Sequence, residues 1–359
     1  MSVNSELKKY GIEVIKPLDT IYINLIAKNI ADKLCSTFPE YNFDCNQIFS
    51  QIARLNMYVA KIPNGVAEAN YFYKNNSIYF SDNIEYEDID IFAIHECIHY
   101  LQQIKDKKDN LIRLGLCEFS EFKIYGMALN EAAVQIASAK LKNYKKDSVR
   151  YYNINFNTIS PTYYPILCNL VSQMAYLTGE DLLFNSVFFS NDDFKNKFIE
   201  LTNETTFLRV CKNLDIILNT EEELIILNSK LEKLNTNIKI INKINNKINN
   251  KRKKITDTYF ETQNIILTTY FEYEFQEISN KKEIEIFRNK LYNFKNLIGT
   301  NDQYTYYSEY YIEKMAKLED LYKLFEFKSS KNGLVKIKTN KILSFFKKFK
   351  NLFDRTQEN

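Results

Sequence analysis

Glycine and proline are scarce in this chain, with 7 glycines and 5 prolines among 359 residues. Globular proteins typically contain ~7% glycine and ~5% proline. Sandwiches and barrels of many short strands need these residues at their turns, so their scarcity favours a fold dominated by helices. Hydrophobic residues at 45% and charged residues at 26% are ordinary globular values, and the length suits two domains or one domain with an extension.

Hydrophobic periodicity predicts the elements of the first 201 residues. Helices are expected near 19–36, 44–54, 88–104, 120–142, 161–178 and 191–201. Strands are expected near 56–60, 68–73 and 77–81, with a tight turn at residues 74–76 joining the last two. Asp19 is a suitable cap for the first helix. The pattern is that of an α+β protein that is predominantly helical.

The composition and the hydrophobic pattern change in the later part of the chain. Leucine and isoleucine alternate at spacings of three and four from Leu224 to Ile241, which is the pattern of a coiled-coil seam. Residues 241–254 are rich in Asn and Lys and have weak helix propensity, which predicts the tip of a helical hairpin. Residues 256–298 are expected to form the returning arm of this hairpin, and residues 303–327 a third helix. The basic cluster 251–254 is better explained as a solvated face than as a nucleic-acid contact.

The chain contains only two histidines, and both lie in the segment His95-Glu96-Cys97-Ile98-His99. Residues four apart lie on one face of a helix, so the two imidazoles can bind a single metal ion. Glu96 lies beside them, where it can reach a water molecule on the metal without being a ligand. A chance occurrence on an amphipathic helix is disfavoured, because both histidines of the chain would have to fall here. The segment predicts an HExxH hydrolase with Zn²⁺ as its cofactor.

A catalytic zinc site needs a third protein ligand, and no third histidine is present. Asn130-Glu131 lies downstream on a strongly helical stretch. HExxH followed by this pair resembles the gluzincin metallopeptidases, in which a second helix carries a glutamate ligand. The resemblance implies His95, His99 and Glu131 as zinc ligands and Glu96 as general base.

The resemblance covers residues 56–140 and also implies a fold. Such zincin-like domains contain a small mixed sheet whose edge strand lies above the active-site helix. The strand at residues 77–81 is the expected edge, and an extended peptide or protein substrate can pair with such an edge.

Two positions depart from the family pattern. The thermolysin-like pattern has Asp four residues after the ligand glutamate, where it orients a zinc-binding histidine, whereas this chain has Gln135. Its amide carbonyl can accept a hydrogen bond from the same imidazole N–H, but more weakly than a carboxylate.

The family commonly stabilises the oxyanion with a downstream His or Tyr. With no histidine left, this role falls to a Tyr, an Arg or zinc alone; Tyr163 and Tyr164 are candidates, although packing is favoured for each.

Three classes of function follow. The leading one is a zinc-dependent metallopeptidase, and the alternatives are a zinc-binding coiled-coil protein without peptidase turnover and a coiled-coil interaction protein with no metal. An intact Glu96 favours the first, since metal binding alone needs no general base. We expect a zincin-like metallopeptidase domain at 1–218, a helical hairpin or coiled coil at 219–330, through which the chain can self-associate, and a basic amphipathic tail at 331–359.

Six cysteines are scattered without CxxC spacing, which predicts reduced intracellular thiols. The N-terminus lacks the apolar core of a signal peptide, and no run approaches the ~18 apolar residues of a membrane span. A cytoplasmic location is therefore expected. The net charge of +3 arises from a lysine-rich C-terminus, so the body of the protein is not a nucleic-acid binder.

The tail at 331–359 has an apolar stripe that includes Phe345, Phe346 and Phe349, with lysines on much of the remaining surface. Such a helix can lie in the plane of an anionic membrane, which would make the protein peripheral at the membrane. The alternative, slightly favoured, is a terminal helix docked on the coiled coil with solvated lysines.

A peptide of residues 331–359 separates these alternatives. If the tail binds membranes, its helicity rises on anionic vesicles at low salt, because apolar burial and lysine–lipid attraction act together. Circular dichroism with neutral vesicles as the control measures this. A spectrum unchanged by anionic vesicles would exclude the membrane role.

Overall fold

The computed structural model describes residues 7–8, 11–63, 67–85, 88–119, 124–232, 238–299 and 306–330. Within these ranges the fold is predominantly helical with small sheets, which confirms the expected α+β class. The helices are α1 (Thr20–Thr37), α2 (Cys45–Ile52), α3 (Ile89–Leu101), α4 (Met127–Leu141), α5 (Pro165–Thr178), α6 (Glu180–Phe189), α7 (Asp193–Leu201), α8 (Glu204–Glu232), α9 (Ile238–Gln276), α10 (Lys281–Ile298) and α11 (Tyr306–Ser330). The strands are β1 (Glu13–Pro17), β2 (Asn56–Lys61), β3 (Ala69–Phe72), β4 (Ser77–Ser81), β5 (Gln103–Lys105), β6 (Leu111–Leu114), β7 (Cys117–Phe119), β8 (Ile124–Tyr125), β9 (Asp147–Tyr151) and β10 (Ile154–Thr158).

Local side-chain chemistry sets the start of the first two helices. The Asp19 carboxylate accepts a hydrogen bond from the Ile21 N–H at 2.8 Å, and that of Asp44 accepts from the Asn46 N–H at 3.0 Å. These are N-cap contacts, which satisfy donors that a helix leaves unpaired at its first turn. The predicted cap at Asp19 is therefore confirmed.

The first sheet is mixed and has the order β1-β2-β4-β3. β2 and β4 are parallel, while β3 and β4 form the predicted antiparallel hairpin, whose turn holds Asn76 at a φ of +46°. Asparagine tolerates this left-handed conformation better than most residues. The expectation that residues 77–81 form the edge is wrong, because β4 is paired on both sides. The edge strand on this side of the sheet is β3.

A second sheet of four short strands follows α3 in the order β5-β6-β7-β8. Sequence periodicity does not reveal it, because its strands are two to four residues long. The helix predicted over 120–142 begins at Met127 instead, since Ile124–Tyr125 is a strand. Gly126 ends that strand at a φ of +75°, and a Cβ there would lie 2.9 Å from the Leu116 carbonyl oxygen.

Helix α4 lies at the centre of the molecule, against α3, α5, α6 and α8. It is buried nearly all round, and many of its buried residues are alanines. Small side chains let neighbouring helices approach closely, so groups on α3 and α4 can come within hydrogen-bond distance of each other. The core formed around α4 extends from Leu18 to Leu318 as one cluster.

The C-terminal helices do not form the predicted hairpin with its tip at residues 241–254. α8 is described up to Glu232 and α9 from Ile238, and the two helices pack against each other, so the predicted seam from Leu224 to Ile241 is divided between two packed helices. The Asn- and Lys-rich stretch 241–254 lies inside α9 rather than at a tip, because Ile248 is buried within the core and packing overrides weak propensity. α8 also runs across the expected boundary between residues 218 and 219.

Cys35 and Cys45 form a disulfide, with Cα atoms 6.2 Å apart. The expectation of reduced thiols is wrong for this pair, because the chain reverses between α1 and α2 and brings the two residues into the range that a disulfide requires. Cys97, Cys117, Cys168 and Cys211 are free and buried. No helix among the described residues combines the length and hydropathy needed to cross a bilayer. The tail at 331–359 lies outside the described residues.

Candidate metal centre

His95 and His99 lie on one face of α3, as their spacing predicts. Their Nε2 atoms are 2.9 Å apart, and their ring centroids are separated by 4.7 Å. Side chains four residues apart on a helix point in the same direction, so both nitrogens converge on one point.

The Glu131 carboxylate of α4 completes a three-residue cluster at this point. Oε2 lies 3.3 Å from His95 Nε2, and Oε1 lies 3.4 Å from His99 Nε2. The three ligand atoms all lie within 4.8 Å of one another, so they can hold one metal ion. The structure thus brings together all three residues that the sequence predicts as ligands.

Burial and charge act against each other in this cluster. Burial would raise the pKa of Glu131, but the two imidazoles outweigh it and hold that pKa well below its usual value. Burial would lower the pKa of His99, but the adjacent Glu131 outweighs it and raises that pKa. The carboxylate is therefore ionised, as a metal ligand must be.

Each imidazole is oriented by a glutamine amide. The Nδ1 of His95 lies 2.9 Å from Gln135 Oε1, and the Nδ1 of His99 lies 3.3 Å from Gln102 Oε1. An amide oxygen accepts a hydrogen bond from Nδ1–H, and this tautomer leaves the lone pair on Nε2 for a metal. Gln135 thus makes the contact with His95 that its predicted role requires. Sequence reasoning missed the equivalent contact of Gln102 with His99.

Gln102 is itself fixed by groups from several elements. Its Nε2 donates to the Val187 carbonyl at 2.8 Å, and its Oε1 lies 3.3 Å from Nδ2 of Asn130. Gly115 leaves room for this arrangement: a Cβ at that position would lie 2.3 Å from Asn130 Oδ1 and 2.4 Å from Gln102 Nε2. Asn130, the residue before Glu131, therefore helps to hold the Gln102 amide in place beside His99.

Glu96 is partly buried next to the cluster, but the cluster of potential metal ligands does not include it. Its Oε2 accepts a hydrogen bond of 2.8 Å from the backbone N–H of Tyr71 in β3. Burial raises the pKa of Glu96, and the two imidazoles and the Tyr71 N–H offset this only in part. A carboxyl group with a raised pKa is suited to accepting and returning a proton.

The two candidate tyrosines differ in their surroundings. Tyr163 donates its hydroxyl to Glu68 Oε2 at 2.9 Å. Tyr164 lies beside the cluster, with its ring centroid 6.4 Å from that of His95, and burial raises its pKa well above the usual value. Its φ is +49°, a strained conformation for a bulky residue, just before Pro165 begins α5.

The cluster opens into a cleft of about 450 Å³. β3 forms one wall and α8 another, so the C-terminal region contributes directly to this site. The lining residues from these two walls are Ala69, Asn70 and Tyr71 from β3, and Asp215, Leu218, Asn219 and Glu222 from α8.

Replacing Gln135 with Leu tests the role of the amide partners. We expect about a tenfold loss of Zn²⁺ affinity, because His95 loses the acceptor that fixes its ring and tautomer. Competition with a chromophoric chelator measures this. Gln173→Leu is the control, because Gln173 is also a buried glutamine but bonds to Asn169. Equal metal affinity in the Gln135 variant and the wild type would contradict the assignment.

Comparison with known proteins identifies no family for this chain. No protein-family model matches it, and neither does any curated protein or solved structure. Its chemistry is therefore inferred from the side chains that the fold brings together: two imidazoles, a carboxylate between them, and the Glu96 carboxyl group alongside.

Proposed function

We propose that this chain is a zinc-dependent metallopeptidase of the gluzincin type. The observation that carries the proposal is the convergence of His95, His99 and Glu131 beside a separate, partly buried glutamate, Glu96. Three protein ligands with a fourth position open to water are typical of catalytic zinc, whereas structural zinc is normally enclosed by four.

The carboxylate–imidazole distances and the donor set support zinc as the metal. Zinc–nitrogen and zinc–oxygen bonds are ~2.0–2.2 Å long, so neighbouring ligand atoms in a tetrahedral site lie ~3.3–3.6 Å apart. The two carboxylate–imidazole distances, 3.3 and 3.4 Å, match this spacing, whereas the imidazole nitrogens, 2.9 Å apart, are closer together than a tetrahedral site requires. Two nitrogens and one carboxylate also form a donor set that suits zinc.

A bound zinc ion would supply Lewis acidity toward a water molecule and toward the carbonyl oxygen of a peptide bond. Glu96 accepts a proton from the water and returns it to the leaving amine. Its raised pKa favours this exchange, and the Tyr71 N–H fixes the position of Oε2.

The edge strand β3 offers a binding site for an extended peptide. The Glu68 carbonyl accepts from Ser81 N–H in β4, whereas the Tyr71 N–H points to Glu96. Backbone groups of successive residues in an antiparallel strand point alternately to opposite sides, so those of Ala69 and Tyr71 face away from β4. The Ala69 N–H and C=O and the Tyr71 C=O can therefore pair with a substrate backbone.

Tyr164 is the candidate for stabilising the oxyanion. It lines the cleft beside His95, and its raised pKa keeps the phenol protonated and able to donate. A donor aimed at developing negative charge is worth ~10²–10³ in kcat in comparable sites.

Substitutions at neighbouring residues test the proposal by separating metal binding from catalysis. Glu96→Gln should retain zinc, since Glu96 is not a ligand, and should lower peptide cleavage by at least ~100-fold because an amide cannot accept the proton. His95→Ala and Glu131→Ala should lose most of the zinc, because each leaves two protein ligands. Metal analysis of purified protein and cleavage of a quenched-fluorescence peptide library provide the measurements.

Three outcomes of this experiment would argue against the proposal. Full zinc retention in Glu131→Ala would place the third ligand elsewhere, and zinc loss in a folded Glu96→Gln variant would overturn the role of Glu96. Stoichiometric zinc without cleavage of any library peptide would favour the alternative, a zinc-binding protein without peptidase turnover.

Replacing Tyr164 with Phe tests the oxyanion assignment separately. We expect kcat to fall ~100-fold with zinc content and KM nearly unchanged, because the hydroxyl would act mainly in the transition state. Tyr163→Phe is the matched control, since its hydroxyl bonds to Glu68 instead. A Tyr164→Phe variant with the kcat of the wild type would contradict this assignment and leave stabilisation of the oxyanion to the metal alone.

A further inference from the structure

Helix α8 presents one face to the cleft, formed by Asp215, Leu218, Asn219 and Glu222. Their spacing of three, four and seven residues places them in one stripe along the helix. The stripe shares the cleft with His95 and His99, so a substrate bound at the metal centre also meets α8.

The position of α8 is fixed relative to the metal centre. Asp215 Oδ1 accepts a hydrogen bond of 3.1 Å from the Ala128 N–H, at the first turn of α4, and α4 carries Glu131. Leu214 and Ile217, which precede two of these residues in sequence, are fully buried in the core. The wall therefore cannot shift independently of the helix that supplies the metal ligand.

The charge of this wall is negative. Asp215 and Glu222 line the cleft, and none of the described lining residues is a lysine or arginine. Partial desolvation and the nearby charge of Glu131 raise the pKa of Glu222, whose side chain is nevertheless exposed. The next residue, Glu223, forms an ion pair with Lys251 of α9 and is not among the lining residues.

A lysine lies on the opposite flank of the centre. Lys142 lines a small recess of about 60 Å³, together with Glu68, His95 and Tyr164. This recess includes Glu68, just before β3, whereas the acidic cleft includes Tyr71 toward the end of β3. Among the described lining residues, a cation is therefore present only beside the start of the strand, where Glu68 and Glu96 also line the recess.

The direction of the substrate follows from strand pairing. Antiparallel pairing is slightly more stable per residue than parallel pairing. A peptide antiparallel to β3 would place residues before its cleaved bond near Tyr71 and α8, and residues after it near Glu68 and Lys142.

We propose that α8 selects substrates with a cationic group, an ammonium or a guanidinium, on the N-terminal side of the cleaved bond, with Glu222 as the residue that contacts it. This inference rests on the proposed peptidase function. The cation can belong to a Lys or Arg side chain or to the amino terminus of the peptide, since both carry the same chemistry.

Binding of defined peptides to the full-length, zinc-loaded Glu96→Gln variant tests this inference without turnover. Peptide pairs differ only by Lys or Met at each position, and each is made with a free and an acetylated N-terminus. We expect the cationic peptide to bind about fivefold more tightly, as for a partly exposed ion pair, and the preference to shrink with added salt. Fluorescence anisotropy gives the affinities.

Substitutions on α8 identify the residue responsible. Adding Glu222→Gln to the Glu96→Gln variant should abolish the preference, whereas adding Glu223→Gln should preserve it because Glu223 pairs with Lys251. If acetylation alone removes the preference, the cation is the amino terminus; if replacing Lys does so, it is a side chain. Either result supports the inference.

The inference and the proposed function fail in different ways. Equal affinity for cationic and neutral peptides, no measurable binding of either, or a preference that survives Glu222→Gln would overturn the role of α8. In those cases the peptidase function would still be supported if the wild-type protein cleaves peptides and the Glu96→Gln substitution abolishes that cleavage. Zinc content unaffected by His95→Ala would instead overturn the metal centre.

Discussion

A carboxylate enclosed between two imidazoles is the interaction on which the arrangement of the central helices depends. Removing the Glu131 charge from water is costly unless partners compensate it, and His95 and His99 lie within 3.4 Å of its oxygens. Only one relative placement of α3 and α4 gives these contacts. The bond between Asn130 and Gln102 links the same two segments a second time, so the polar groups and the alanine-rich packing specify one register.

Parts of the fold were predictable because their causes are local in sequence. Four-residue spacing places His95 and His99 on one helix face, and a carboxylate before a hydrophobic run marks a helix start, as at Asp19. Glu131 was predictable only through a family resemblance. Gln102 had a weak local signal, since it lies three residues after His99 on the same helix side, but nothing in the sequence shows which way its amide points.

Other features depend on tertiary contacts that no short window contains. The strands β5 to β8 are too short to show a period, and Ile248 keeps a stretch of poor helix propensity inside α9 by being buried. Glu222 is far from Glu131 in sequence, and only the packing of α8 against α4 brings both to one cleft. For the same reason, a boundary drawn at residue 218 from composition falls within a helix that forms the wall of the site.

The hydrogen bond from the Tyr71 N–H to Glu96 has a consequence for how binding and turnover depend on each other. In the proposed reaction, the strand that receives the substrate also holds the general base, through a backbone donor that no side-chain substitution other than proline removes. Displacement of β3 would move the base together with the binding edge. If the proposed reaction holds, changes that loosen the β3–β4 hairpin should therefore appear in kcat as well as in KM, because weaker substrate binding would come with a misaligned proton acceptor.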